Sequence, residues 1–264
     1  MNGITLLSDF GLLDATLANV KGTLMQFLPN TTIVDISHQV EPFHRHQAAY
    51  LLASCYKSFS PTTCHIVLFD LFYQSNADVL LGEVDGQYII APDNGLLSLA
   101  FGTKLHKVWH CGKVNSAIGL KGWLHHVGAL LQQLLESSPE TLALEETTLK
   151  QAPSNWLPLI KGESIECHII HIDRFENVIL NITKAEFEAA RNKRKFTISF
   201  MNNMEINSIS VHYSDVKEGD KLCRFNTTGF LEIAINRGKA ASLLGFQLRQ
   251  EKHLIYNTIN IKFE

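Results

Sequence analysis

The chain carries no excess of charge of one sign. Its 23 Lys and Arg stand against 26 Asp and Glu, a net charge of -3, and no long run of one sign occurs. Binding nucleic acid or an anionic membrane surface needs a basic face, so neither nucleic acid nor membrane is expected as a partner. No apolar run reaches the roughly 20 residues of a membrane span. The start lacks a basic stretch followed by an apolar core and a cleavage site, so no secretory signal is read. Cysteine is scarce: Cys55, Cys64, Cys111, Cys167 and Cys223 are odd in number, scattered, and free of any Cys-x-x-Cys spacing. That argues against a disulfide frame and a structural zinc site, and suits a reducing cytoplasm. Internal repeats and low-complexity tracts are missing as well. What remains is ordinary globular composition, 45% hydrophobic and 19% charged over 264 residues, enough for one large domain or two small ones.

The rest of the chain reads as built around residues 4–16. Ile4-Thr5-Leu6-Leu7 is an apolar run that suits a buried parallel strand. It breaks at Ser8-Asp9-Phe10-Gly11 and restarts with helical spacing at Leu13, Leu17, Val20, Leu24, Phe27 and Leu28. Asp9 and Asp14 therefore fall in a strand-to-helix turn, where open α/β sheets bind their ligands. Carboxylates there accept hydrogen bonds from sugar hydroxyls or pair with an ammonium group. Asp14 alone reads as a helix cap. The pair, flanking a glycine turn after a buried strand, reads as a binding site.

Further along, strands are expected over residues 32–37, 64–69, 80–83 and 87–91, the last two joined by an Asp85-Gly86 hairpin turn. Helices are expected over 44–59 and 123–135, with a short one after Pro92-Asp93-Asn94-Gly95. Strands alternating with helices predict a mostly parallel sheet flanked by helices, an N-terminal α/β domain over residues 1–150. Residues 136–154 turn to Ser, Glu, Thr and Gln and read as a surface linker. Beyond them the period shifts toward two. Strands are expected over 166–172, 178–180, 196–200, 206–212, 231–235 and 254–261, and Thr183-Lys184-Ala185-Glu186 has the pattern of a capping box. This predicts a smaller C-terminal β-barrel-like domain over residues 160–264.

Several motifs taken together resemble one family, the S-adenosylmethionine (SAM) hydroxide adenosyltransferases, or SAM hydrolases (DUF62), relatives of the SAM-dependent fluorinase and chlorinase. The matching pieces are Ser8-Asp9-Phe10-Gly11 with Asp14; Lys21-Gly22; Ile33-Val34-Asp35-Ile36-Ser37-His38; Ala91-Pro92-Asp93-Asn94-Gly95-Leu96-Leu97; Asp173-Arg174-Phe175-Glu176-Asn177-Val178; and Leu231-Glu232-Ile233-Ala234-Ile235-Asn236 with Gly238, Ala240 and Ala241. They run in the family's order over nearly the whole chain. The resemblance implies a trimer whose site lies between the N-terminal domain of one subunit and the C-terminal domain of its neighbour. It implies that water displaces L-methionine at C5′ of SAM and leaves adenosine, with neither metal nor cofactor. It further implies that Asp9 holds the ribose hydroxyls, Asp14 and Thr16 face the methionine end, and Asp173 takes its ammonium. Phe43 would pack against the ligand, Phe175 would stack on adenine, Asn177 would bond the polar edge of adenine, and Asn226-Thr227 would lie near the carboxylate.

The chemistry departs from the family. Its catalytic set is an aspartate, an arginine and a histidine. Asp70 keeps the first of these. The arginine position falls on Ala77, with Asp78 next to it, and the histidine position falls on Gly119. Lys121 matches a different arginine of the family, and His125 and His126 are the nearest imidazoles. The expectation is a SAM hydrolase with a degenerate catalytic set in which Asp70 lacks a guanidinium partner. The alternative is a catalytically silent protein that binds SAM or adenosine as a sensor or scaffold.

Overall fold

A computed structural model of the chain describes residues 3–149, 157–200, 204–248 and 258–264. Contacts divide the chain into two compact units, Met1–Ala152 and Pro153–Glu264.

In the first unit β1 (Gly3–Ser8) leads into α1 (Thr16–Phe27), β2 (Thr32–Ser37), α2 (Arg45–Cys55) and β3 (Thr63–Leu68). The hairpin β4 (Asn76–Val84) and β5 (Gln87–Pro92) follows, then α3 (Leu96–Phe101), β6 (Lys107–Asn115), α4 (Gly119–Glu136) and the two-residue β7 (Glu145–Glu146). The sheet order is β2-β1-β3-β5-β4-β6-β7. β2, β1, β3 and β5 pair in parallel; β4, β6 and β7 extend the sheet by antiparallel pairing.

The apolar runs of β1 and β3 are buried on both faces. Ile4, Leu6, Ile66 and Leu68 pack with Leu17, Val20 and Leu24 of α1 and Trp123, Val127 and Leu131 of α4. Leu7 and Val67 point the other way, onto Ala48, Ala49 and Leu52 of α2 and Leu96 and Leu97 of α3. Each fully buried Leu, Ile or Val adds about 1.5–3 kcal/mol of hydrophobic stabilisation, which is why the strands read as continuous apolar runs. The polar residues inside are paired. His65 Nε2 lies 2.5 Å from Gln87 Oε1 and its Nδ1 lies 2.7 Å from the Thr5 hydroxyl. Burial holds this imidazole below its ordinary pKa.

The hairpin turn forms as expected, with Asp85 at φ 49° and Gly86 at φ 76°, the left-handed pair that a two-residue turn requires. The supposed linker is partly structural. Helix α4 runs on to Glu136, and Glu145 and Glu146 pair with His110 and Trp109 of β6.

In the second unit β8 (Leu159–Lys161), β9 (Ser164–Ile172), β10 (Val178–Thr183), α5 (Lys184–Arg191), β11 (Phe196–Ser199), β12 (Glu205–Ile206), β13 (Lys221–Phe225), β14 (Phe230–Ile235), α6 (Ala240–Leu244) and β15 (Thr258–Phe263) follow in order. The sheet runs β12-β11-β15-β9-β10-β14-β13, with β8 on β9, and every pairing is antiparallel. Its two ends meet: Ile209, just past β12, bridges to Cys223 of β13, and Ser210 N donates to the Cys223 carbonyl at 2.8 Å. The sheet therefore curls nearly into a barrel. Phe187 of α5 plugs it, edge-on to Phe196, Phe225 and Phe263. The capping box at α5 is complete: Glu186 N donates to Thr183 Oγ1 at 3.3 Å, and Thr183 N donates to Glu186 Oε2 at 2.9 Å.

Two strand assignments change. Of the 206–212 run only Ile206 pairs along a ladder, as the end of β12, because Asp215 Oδ2 accepts from Val211 N at 2.8 Å and His212 N at 3.0 Å and draws them into a turn. Of the run 254–261, residues 254–257 lie outside the described residues, and β15 extends to Phe263. No helix among the described residues is long and apolar enough to cross a membrane.

Candidate functional site

The carboxyl ends of β1, β2 and β3 open on one edge of the first sheet, because the three strands are parallel. The motif residues Lys21, Asp35, His38 and Ser8 form a continuous brace there. Lys21 Nζ lies 2.6 Å from Asp35, Asp35 lies 3.1 Å from His38 Nε2, and His38 Nδ1 lies 2.7 Å from Ser8 Oγ. Gly11 N adds a 2.7 Å bond to the His38 carbonyl. At φ 71° Gly11 is in the left-handed region, where a glycine costs least. The brace ties the loop after β1 to the end of β2 and so fixes Asp9.

Asp9 is half-buried, and its Oδ2 accepts from Asp70 N at 3.3 Å. Burial pushes the Asp9 carboxyl above its ordinary pKa; the Asp70 N–H bond pulls the other way, and the nearby Asp70 charge adds to the rise. So Asp9 and Asp70 meet at this edge. Asp14 is fully exposed and accepts from Thr16 N at 2.8 Å, capping the first turn of α1. Hydrogen bonds from Thr16 hold its carboxyl below the usual range. Phe43 stands 82% exposed in the loop before α2, in the left-handed region at φ 64°.

The sequence leaves Asp70 without a guanidinium; the structure supplies one. Arg45 Nη2, at the start of α2, lies 2.9 Å from Asp70 Oδ2. Nothing in the sequence marks this arginine, because it is 25 residues from Asp70 and belongs to no motif. The positions that aligned with the family's catalytic pair offer no polar side chain. Ala77 is buried in β4 opposite Val114, and Gly119 opens α4 at φ 61°. Both imidazoles of α4 serve packing. His125 meets the ring of Phe27 edge-on at 5.4 Å, and His126 Nε2 donates to the Cys111 carbonyl at 2.5 Å. Nor is there an activated thiol: burial pushes Cys55 up to about 11, and Cys111, Cys167 and Cys223 up to about 12.

In the second unit the turn 173–177 joins β9 to β10. Asp173 Oδ1 accepts from Phe175 N at 2.9 Å and Asn177 N at 2.8 Å, and its Oδ2 accepts from the Asn177 side chain at 3.0 Å. On the other side Glu176, at φ 63°, accepts from Lys239 at 2.9 Å, from Ser242 N at 3.0 Å and from the Ser242 hydroxyl. Two carboxylates thus fix the turn, and Phe175 projects from it 73% exposed. An aromatic ring held out on a fixed turn is a ready stacking surface. Asp173 accepts three bonds within that turn, two of them from Asn177.

Asn226 and Thr227 lie elsewhere. They form the β13–β14 turn, where Asn226 Oδ1 accepts from Thr228 N, the Thr228 hydroxyl and Phe230 N at 3.0, 2.8 and 3.1 Å. Val178 pairs with Ile233 and Thr183 with Phe230. This turn therefore sits at the opposite end of the β10–β14 pair from Phe175, three residues away along β14, roughly 10 Å. Nearer to Asp173 is a group that the motifs did not single out. Tyr213 donates to buried Glu232 at 2.7 Å, and the Arg224 guanidinium lies 4.6 Å from the centre of the Tyr213 ring. Burial raises the Glu232 carboxyl, and Asp173 is close enough to add to the rise.

Comparison with known proteins finds relatives along nearly the whole chain. Residues 4–123 match the family model of the SAM hydroxide adenosyltransferase N-terminal domain, and residues 167–252 match that of its C-terminal domain. The chain is 25% identical to the (R)-S-adenosyl-L-methionine hydrolase of Methanocaldococcus jannaschii, over 96% of this chain and 95% of that protein. It is 26% identical to the hydrolase of the same name from Salinispora tropica, over 92% and 93%. Among solved structures, an uncharacterized conserved protein from Thermotoga maritima superposes with a TM-score of 0.77 at 25% identity, covering 98% of this chain and 99% of that one. With both domains matched in order, the chain belongs to the SAM hydroxide adenosyltransferase family.

Proposed function

We propose that the protein hydrolyses S-adenosyl-L-methionine to adenosine and L-methionine. The observation that carries this reading is the meeting of Asp9 and Asp70 at the carboxyl edge of the parallel strands, in a chain that matches both family domains. The oxygen of water forms a bond to C5′ of the substrate. The C5′–S bond breaks, its electron pair neutralises the sulfonium, and the proton of water leaves through Asp70. A sulfonium is already a good leaving group, so the chain has to bind, orient and position rather than activate the departing sulfur.

Asp9 would accept from the 2′- and 3′-hydroxyls of the ribose, since one carboxylate offers two acceptor oxygens. Phe175 would stack on adenine and Asn177 would bond its edge. Phe43 would pack on the ligand, with Asp14 and Thr16 toward the methionine end. Asp173 would meet the ammonium; the turn of Asn226 and Thr227, at the other end of the β10–β14 pair, has no part in this reading. Incubation of the pure protein with SAM is expected to release adenosine and methionine in equal amounts. Release of neither overturns the reading.

Assembly belongs to the same proposal. A homotrimer would bring the Phe175 turn of one copy to the Asp9 edge of the next. The exposed side chains of Leu12, Leu13, Phe43 and Phe72, all in loops at that edge, support a face that another surface covers. Light scattering at micromolar concentration is expected to give three times the 29.6 kDa of one chain; a monomer would count against it.

A further inference from the structure

We propose that Arg45 is the positioning residue for Asp70: its guanidinium fixes the Asp70 carboxylate at the end of β3, with Oδ1 offered to the reacting water. This role rests on the hydrolase reading above.

Three features of the molecule point the same way. The first is how firmly Asp70 is set. Its backbone sits in the left-handed region at φ 50°, which is strained for a non-glycine residue and is held by its surroundings. Those surroundings can be named. The Asp70 N–H donates to Asp9, the preceding Phe69 carbonyl accepts from the Asn94 side chain at 3.0 Å, and Oδ2 accepts from Arg45. Tyr73, farther along the same loop, donates to the Asp93 carbonyl at 2.8 Å. The loop is thus tied both to the turn after β5 and to α2.

The second feature is the placement of Arg45. It is the first residue of α2, and His44 caps that helix by accepting from Gln47 N at 3.2 Å. The residue before the cap, Phe43, is also left-handed. Two strained non-glycine residues therefore flank one ion pair at the ligand edge of the sheet. Strain of this kind collects where a side chain must be aimed. The amino end of α2 also favours a carboxylate beside it.

The third feature is solvent exposure. The side chain of Asp70 is 10% exposed and that of Arg45 is 26% exposed. A pair this sheltered resists screening and keeps its geometry better than a surface ion pair does. The contact pairs Nη2 with Oδ2, so a bond from the guanidinium sets the turn of the carboxylate.

The bland possibility is that the pair only pins α2 to the end of β3. The two roles separate in kinetics. Arg45→Met, Arg45→Lys and the unaltered protein would be assayed for adenosine formation from SAM, with kcat and KM resolved and Tm measured for each. Arg45→Met is expected to lower kcat by about 10- to 10²-fold, the size of effect that a misplaced catalytic group produces, with KM within about 3-fold. Arg45→Lys keeps the charge and a single donor, and is expected to recover kcat to within about 10-fold of the unaltered protein. An Arg45→Met protein that melts earlier but keeps its kcat would make the pair a structural brace and overturn the proposal. If Arg45→Met does not fold, Arg45→Gln against Arg45→Lys makes the same comparison, and equal kcat in those two overturns it as well. An unaltered protein that releases no adenosine overturns the hydrolase reading and this role with it. Turnover in the unaltered protein that the variants share overturns the role alone.

Discussion

Asp9→Ala is expected to weaken the uptake of adenosine by at least about 10²-fold. Two ribose hydroxyls would lose a charged acceptor. Hydrogen bonds to charged groups contribute about 1.5–3 kcal/mol each, and about 1.4 kcal/mol is tenfold in affinity. The site also loses its own order, because the Asp70 N–H now held by Asp9 Oδ2 at 3.3 Å would have no acceptor there. Asp9→Asn separates these effects. An amide oxygen still accepts from Asp70 N, yet only one acceptor remains for the ribose. Folding stability should move in the opposite sense. Burial and the charge of Asp70 raise the Asp9 carboxyl in the folded state. A group raised on folding stabilises the fold below its unfolded pKa, and that stability is lost as pH rises through the folded value. At neutral pH the ionised Asp9 is therefore a burden on the empty protein, and Asp9→Asn should fold at least as stably while binding more weakly. Calorimetry with adenosine decides it: heats for Asp9→Ala equal to those of the unaltered protein would remove Asp9 from the ribose site.

Much of this edge is legible in the sequence because the signals are local. The apolar runs of β1 and β3, the Asp85-Gly86 turn and the Thr183–Glu186 capping box each depend on residues a few positions apart. The spacing from Asp173 to Asn177 is local too, and what it builds first is a turn: the carboxylate binds the backbone two and four residues on, as aspartate commonly does. Strand β6 escapes a reading of period, since Lys107, His110, Gly112 and Lys113 interrupt its apolar positions. β7 escapes for another reason: two glutamates carry no strand propensity, and they pair only because β6 offers an edge. The expected strand over 206–212 fails where Asp215, a few residues downstream, outbids the ladder for two N–H groups. Arg45 is the largest gap in the sequence reading. A search for an arginine beside Asp70 looks along the loop that follows it and finds Ala77, whereas the fold delivers one from α2, the helix before β3 that packs on the face of β1 and β3, through a contact that no short window contains.

Asp70→Asn is expected to lower adenosine formation by about 10²- to 10⁴-fold, the usual cost of removing a general base or its positioned equivalent. The substitution keeps the shape of the side chain, and its amide oxygen can still accept from Arg45, so the loop after β3 should hold. What goes is the acceptor for the proton of water. The residues nearest to the family's catalytic positions do not replace it. His126 donates to the Cys111 carbonyl, His125 lies against Phe27, Ala77 is buried in β4, and Gly119 has no side chain. The same scarcity bears on the unaltered protein. A carboxylate turned by one guanidinium positions water better than it deprotonates it. Turnover is therefore expected below the ordinary range of about 1–10³ s⁻¹. Affinity for adenosine should be unchanged in Asp70→Asn, because in the proposed site adenosine would be held by Asp9 and Phe175 rather than by the group that handles water. An Asp70→Asn protein that forms adenosine as fast as the unaltered one would place the water on another residue, and His125→Ala assayed beside it would show whether an imidazole of α4 reaches the site after all.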